Sequence, residues 1–249
     1  MITIGVKGAM NNNATGFYNK LWHSNWGDLQ RYGPIHRHQD RMLRSLTSKL
    51  EWDTVLDVRC GAGQNLKRIC EGRKCSRIVG VDISEHALGF SLQNMPEAEF
   101  RVVDIEHELL DERFDLVLCI QVLEHIADDN AAIEHLCAMT GKYLICASVS
   151  GTMHESEQEI GHLRHYKVGE LEEMLREHGL RILQRIYWGF PFYDPIFRWL
   201  QHASGAGEQV GAGTYGIARR ALCHFMWLLY FLNSDKKGEL EIVAAENPI

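Results

Sequence analysis

The sequence lacks any apolar run of 18 residues, so no membrane-spanning helix is expected. It also lacks an excess of positive charge. Lys+Arg number 26 against 33 Asp+Glu, for a formal net charge of −7. A nucleic-acid binder working through a broad basic surface is therefore not expected, and only a local patch of Arg37, Arg41 and Arg44 points the other way. The seven cysteines are odd in number and irregularly spaced, and several sit inside apolar runs such as Leu118-Cys119-Ile120. They read as reduced, buried small hydrophobes, not as a disulfide framework. Met1 to Gly8 shows no basic stretch followed by an apolar core, so no signal peptide is expected, and the expected location is the cytoplasm. No internal repeat is present. A hydrophobic content of 45% with 24% charged residues argues against disorder, and 249 residues suit one α/β domain with additions.

Residues 1–52 read as a loose Gly- and Asn-rich arm followed by a helical cap. The first helical pattern starts at Phe17 and breaks at Arg31-Tyr32-Gly33-Pro34; a second carries Ile35, Met42, Leu43, Leu46 and Leu50 on one side. From 53 to 188, short apolar runs alternate with helical segments. Strands are predicted at Thr54–Val58, Arg77–Val81, Glu99–Val103, Phe114–Ile120, Lys142–Ser148 and Leu180–Trp188. Helices are predicted at Gln64–Glu71, Glu85–Asn94, Asp129–Ala138 and Val168–His178. This alternation indicates βαβ units and a parallel sheet covered on both faces. Residues 189–238 form an insertion before a last strand, Glu239–Ala245.

The chemistry concentrates at the ends of the first three strands. Asp57-Val58-Arg59-Cys60-Gly61-Ala62-Gly63 closes an apolar strand in an acid and a small-residue turn and then opens a helix, which lets a ligand approach the backbone closely. About twenty residues on, Val81-Asp82-Ile83-Ser84 places an acid where it suits a ribose diol. Asp104, in Val103-Asp104-Ile105, is placed to read an adenine amino group. An ordinary βα turn, with Asp82 and Asp104 as helix caps, is the alternative.

With these motifs the chain resembles the class I methyltransferases that use S-adenosylmethionine. The likeness runs from about Thr54 to Trp188, and more weakly over Arg31–Leu50. It rests on Asp57–Gly63, Val81–Ser84, Phe114-Asp115-Leu116-Val117-Leu118, Leu123-Glu124-His125-Ile126 and Gly161-His162-Leu163-Arg164-His165-Tyr166. The resemblance implies a Rossmann-like seven-stranded sheet in the order 3-2-1-4-5-7-6, with strand seven antiparallel. It implies cofactor contacts from Asp57, Gly61, Gly63, Asp82, Ile83, Asp104, Ile105, Ile120 and Gln121. Arg37 would pair with the cofactor carboxylate. The family carries Gly where this chain has Arg59. That side chain is expected to point away, to pair with Asp57 or Glu124, or to weaken cofactor binding.

For the acceptor, His125, His162 and His165 are candidate bases near neutrality, with Tyr166 as a hydrogen-bonding neighbour. Some relatives hold a metal through a Glu-x-x-Glu-His segment. Here Gln121 stands at the first acid, so no metal is expected. Twelve of the 23 aromatic residues fall between Tyr187 and Phe231, and Phe225–Leu232 is apolar on every side. Such a helix packs on its own sheet, covers an apolar acceptor pocket, forms a dimer through 217–232, or lies on a membrane surface. The expected activity is methyl transfer to oxygen or nitrogen of a small aromatic or lipophilic molecule. A cofactor-binding regulatory protein and an RNA or protein methyltransferase are the alternatives.

Overall fold

A computed structural model describes residues 27–197 and 213–248. The first predicted helix from Phe17 to Trp26, and Trp199 with the Gly-rich stretch of the insertion up to residue 212, lie outside the described residues.

Seven strands form one sheet: β1 Thr54–Val58, β2 Arg77–Asp82, β3 Glu99–Val102, β4 Phe114–Ile120, β5 Thr140–Val149, β6 Arg181–Trp188 and β7 Leu240–Glu246. Their order is 3-2-1-4-5-7-6. β1 to β5 pair in parallel, while β7 is antiparallel to both β5 and β6. Every predicted strand is present, with ends shifted by one or two residues. The central strands carry long apolar runs because a parallel sheet is covered on both faces. Val55, Leu56, Leu116, Val117 and Leu118 have no exposed surface at all.

The helices divide between the two faces. On one lie α1 Gly27–Tyr32, α2 Pro34–Thr47, α3 Gln64–Cys70 and α4 Glu85–Asn94. Met42, Leu43 and Leu46 of α2 join Leu66 and Ile69 of α3 in the core there. On the other face α5 Asp129–Met139 and α7 Glu170–Glu177 bury Ile133, Leu136, Leu171 and Leu175. A short α6, Glu155–Glu159, was not legible in the sequence. The helix predicted from Val168 starts at Glu170, whose carboxylate accepts a 2.7 Å hydrogen bond from the Lys167 N–H and so closes the preceding turn.

The insertion leaves the sheet at Trp188 and returns at Leu240, its register partner. It contains α8, Ile217–Leu229, continued by a short 3₁₀ turn, Tyr230–Leu232. Its aromatic residues gather around His38 of α2, which is fully buried. The His38 ring stacks on Trp188 at 5.0 Å and meets Phe231 edge-on at 4.8 Å. His38 Nε2 lies 2.8 Å from the carbonyl of Trp227 and therefore carries the proton, and Nδ1 accepts from Arg41 at 3.4 Å. Burial lowers the pKa of this ring, consistent with a neutral imidazole that fills both roles.

One contact sets how closely β2 and β3 approach. A Cβ at Gly80 would lie 2.6 Å from the Phe100 ring and 2.8 Å from Cys60 Sγ. Gly80→Ala is therefore expected to destabilise the protein by about 1–3 kcal/mol in urea denaturation. An unchanged midpoint would mean that Phe100 can move aside.

Candidate cofactor and acceptor site

Asp82, at the end of β2, uses its two oxygens on two different turns. Oδ2 accepts from the Gly61 N–H at 2.9 Å and Oδ1 from the Ser84 N–H at 2.9 Å. Burial raises its pKa, while the charge of Arg59 and the N–H groups of Ser84, Gly61 and Ile83 oppose that rise. Helix α4 fixes the same turn from behind. Ser91 Oγ donates to the Gly61 carbonyl at 2.5 Å and Asn94 Nδ2 to that of Ala62 at 2.9 Å. Sequence reasoning missed Ser91 and Asn94; their distance of about thirty residues from the turn leaves no local signal.

Asp57 is buried beside Asp82. Burial first, and the charge of Asp82 second, push its carboxyl well above the usual range. Neither oxygen has a hydrogen bond among the described residues. Asn65, at the start of α3, lies near enough to favour the charged form. The turn that follows runs through left-handed backbone at Arg59 (φ 55°), Gly61 (φ 55°) and Gly63 (φ 73°). Glycine takes that conformation freely, whereas Arg59 adopts it at a cost of about 1–2 kcal/mol. The Arg59 charge acts on Asp82, Glu124 and His125, so the side chain is directed into the site.

Asp104 follows β3, half-buried, with Oδ1 accepting from the Glu106 N–H at 3.2 Å. Ile105 is buried, and its carbonyl lies 2.7 Å from His135 Nδ1. Ile83 and Ile120 are buried at the ends of β2 and β4. Gln121 is left-handed (φ 58°), and its Nε2 has no hydrogen-bond partner. Nine of the ten expected cofactor residues, together with Arg59, thus meet at the carboxyl ends of four adjacent parallel strands, where open α/β sheets place ligands. Arg37 is elsewhere. Its guanidinium lies 3.9 Å above the Trp227 ring, with Nη1 3.5 Å from His224 Nδ1.

The strand order, the acid-tipped strands and the turn agree with the comparisons. A family described as a methyltransferase domain matches residues 51–185. The chain belongs to this family. Its members are the S-adenosylmethionine-dependent class I methyltransferases. The ubiquinone biosynthesis O-methyltransferase of Alkalilimnicola ehrlichii is 37% identical over 98 residues, covering 36% of this chain and 37% of that protein. The Nitrobacter winogradskyi protein of the same name is 28% identical over 143 residues, covering 49% and 53%. The matched region thus spans about half the length of these curated relatives or less. Among solved structures, magnesium protoporphyrin IX methyltransferase from Synechocystis PCC 6803 with bound SAH superposes with a TM-score of 0.61 at 17% identity, covering 96% of this chain and all of that one. The N-methyltransferase NodS from Bradyrhizobium japonicum gives 0.56 at 17% identity, covering 87% and 89%.

The candidate site continues past β4 into a second cluster. Glu124 is fully buried in the 3₁₀ turn Leu123–His125. Oε2 accepts from Ser148 Oγ at 2.9 Å, and Oε1 has no hydrogen-bond partner. Burial lifts its pKa to about 7, against the pull of its backbone N–H, Ser148 and Arg59. His125 Nδ1 lies 3.0 Å from the carbonyl of Gly161, which can only accept, so Nδ1 carries the proton. Burial, His162 and Arg59 lower its pKa to about 3, keeping the ring neutral. The His162 ring meets His125 edge-on at 4.6 Å. His162 Nδ1 is 3.0 Å from His165 Nε2, which is 3.5 Å from Glu157 of α6. Tyr166 does not join them, because its hydroxyl donates to Asp129 at 2.7 Å.

Ligand atoms of Glu124, His125 and His162 lie within 4.8 Å of one another, close enough to share a divalent cation. The positive charge of Arg59 acts on two of the three and opposes a second cation there.

The raised pKa of Glu124 has a consequence for stability. Its folded value of about 7 exceeds the ordinary 4.5, so its contribution is intact below 4.5 and is lost as pH rises through 7. Glu124→Gln keeps an acceptor for Ser148 and removes the buried charge. It is expected to stabilise the protein by on the order of 2 kcal/mol well above pH 7 and to have little effect near pH 4.5. Thermal melts across that range check this, and an equal effect at both ends would refute it.

Proposed function

We propose that this protein transfers a methyl group from S-adenosylmethionine to an oxygen or nitrogen of a small aromatic or lipophilic molecule. The observation that carries this reading is the pairing of buried Glu124, with a pKa of about 7, with neutral His125 at the end of β4.

The residues at the strand ends fit the cofactor. The buried carboxylate of Asp57, which has only Asn65 beside it to offset its charge, has room for a cationic or donor partner, and the Gln121 amide offers a donor unused among the described residues. Asp82 retains lone pairs for a ribose diol beyond the two N–H groups it holds. Asp57, Gly61 and Gly63 would hold the methionine end, Asp82 the ribose, and Asp104 with Ile105 the adenine. When bound, the cofactor supplies a methyl carbon already activated by a positive sulfur.

The chain's own share is positioning and proton removal. An acceptor hydroxyl loses its proton as the new bond to carbon forms, whereas an acceptor amine attacks as the free base and sheds its extra proton afterwards. A carboxylate titrating near 7 is matched to taking that proton at neutral pH. His125 is held in one orientation by Gly161, and the His162–His165–Glu157 series lies behind it. The acceptor class rests on the aromatic insertion, which starts and ends at the same end of the sheet, and on relatives named for ubiquinone biosynthesis. A cofactor-binding protein without transfer is the second reading, favoured by Arg59 inside the glycine turn.

Three measurements separate these. Asp82→Ala is expected to weaken S-adenosylhomocysteine binding about 10- to 100-fold in calorimetry. With a panel of phenols and amines, kcat/KM is expected to rise with pH through about 7. Glu124→Gln is expected to remove that limb and lower the rate about 100-fold or more, with cofactor affinity unchanged. Chelators are expected to leave the rate unaffected. Cofactor binding without turnover on any acceptor would favour the second reading, and an absence of binding would sink both.

A further inference from the structure

Helix α8 meets the described protein along one side, through arginines stacked on tyrosines and through apolar Met226 and Leu229. Arg219 lies 3.7 Å over the Tyr215 ring and Arg220 4.5 Å over that of Tyr32. Met226 packs on the core, and Tyr230 in the following turn is buried. The other side is largely apolar and exposed among the described residues. Ile217 is 89% exposed, Phe225 63%, Leu228 51% and Leu232 68%, at spacings that align them on one face. An apolar stripe of this kind on a stable chain marks a surface meant for something else.

Charge identifies the occupant. Residues 27–47 and 213–238, which hold α1, α2 and α8, contain eight basic and three acidic residues. One of the three acids, Asp40, is buried against Arg68. The rest of the sequence holds 18 basic and 30 acidic residues. A positive face is thus set into an acidic protein. Its cations border the apolar stripe, each stacked on a ring: Arg37 on Trp227, Arg41 on Phe231 and Lys237 on Phe190. A two-fold dimer through α8 would bring two such positive faces together, which like-charge repulsion opposes. A surface of anionic headgroups over acyl chains matches both the charge and the apolar stripe.

We propose that α8, with the adjoining surface of α1 and α2, docks this protein on an anionic lipid bilayer. The helix lies in the interface plane, with Ile217, Phe225, Leu228 and Leu232 at the acyl boundary and the arginines at headgroup level. No helix among the described residues is long and apolar enough to cross a membrane, so the contact is superficial. This inference does not depend on the catalytic reading.

Vesicle flotation of the 249-residue chain tests it. Binding to phosphatidylcholine vesicles containing one-quarter phosphatidylglycerol is expected to be about tenfold tighter than to phosphatidylcholine alone, and to weaken with added salt. The double substitution Phe225→Glu and Leu228→Glu, at exposed positions, should abolish flotation without changing the thermal melt. Arg41→Gln with Lys237→Gln should remove the preference for anionic vesicles and leave weak residual binding. Failure to float, or flotation indifferent to the Phe225/Leu228 pair, would overturn the proposal. So would a dimer in sedimentation equilibrium that the same pair splits, since a second copy would then be the occupant.

Discussion

The carboxylate of Asp82 holds the site together. By accepting from Gly61 on one side and Ser84 on the other, it fixes the turn after β1 to the turn after β2. Because both strands end in buried acids, the sheet's carboxyl edge concentrates negative charge that the described protein only partly neutralises. Asp57 is left without a hydrogen bond, and Arg59 answers Asp82 and Glu124 from a strained backbone position. An edge of this kind is stable when a ligand brings the missing donors. Its deficits match a cofactor carrying an ammonium, a sulfonium and a ribose diol.

Much of this was legible in the sequence. The strands showed as apolar runs because both sheet faces are covered, and each functional acid stood at the end of such a run. Arg59 was visible as a departure from a glycine pattern; of the three fates expected for it, the structure favours pairing, since its charge acts on Glu124 and also on Asp82. Glu124 was harder to read. An acid in a short polar-looking turn resembles a helix cap, and only the packing of Leu163 and Ser148 around it reveals its burial. Arg37 misled because the resemblance places a cation at the cofactor carboxylate, whereas Trp227, 190 residues on, holds it by its ring face. The sense of α8 was hidden for a different reason. A run apolar on all sides does not say which side is covered, and the answer came from His38 and the arginines stacked on tyrosines.

His38 links the cap to the insertion. It is fully buried, donates to the Trp227 carbonyl in the last turn of α8 and accepts from Arg41 on its own helix. These bonds need a neutral ring with the proton on Nε2, and the surrounding aromatics supply the desolvation that keeps it neutral. The same aromatic residues that suggested an acceptor pocket are largely spent on this cluster.

The antiparallel return of β7 bears on how such a protein can diversify. Trp188 and Leu240 are register partners, and Phe190 N–H bonds to Lys237 while Tyr187 N–H bonds to Asp235, so the insertion enters and leaves through a closed gate. Whatever lies beyond that gate can lengthen or shorten without altering the register of any strand, and doubling such a loop adds only about 0.6 kcal/mol of closure entropy. The sheet edge thus works as an attachment point. The strand ends that carry the candidate site stay fixed at β1, β2 and β4, while the segment between Trp188 and Leu240 can be exchanged.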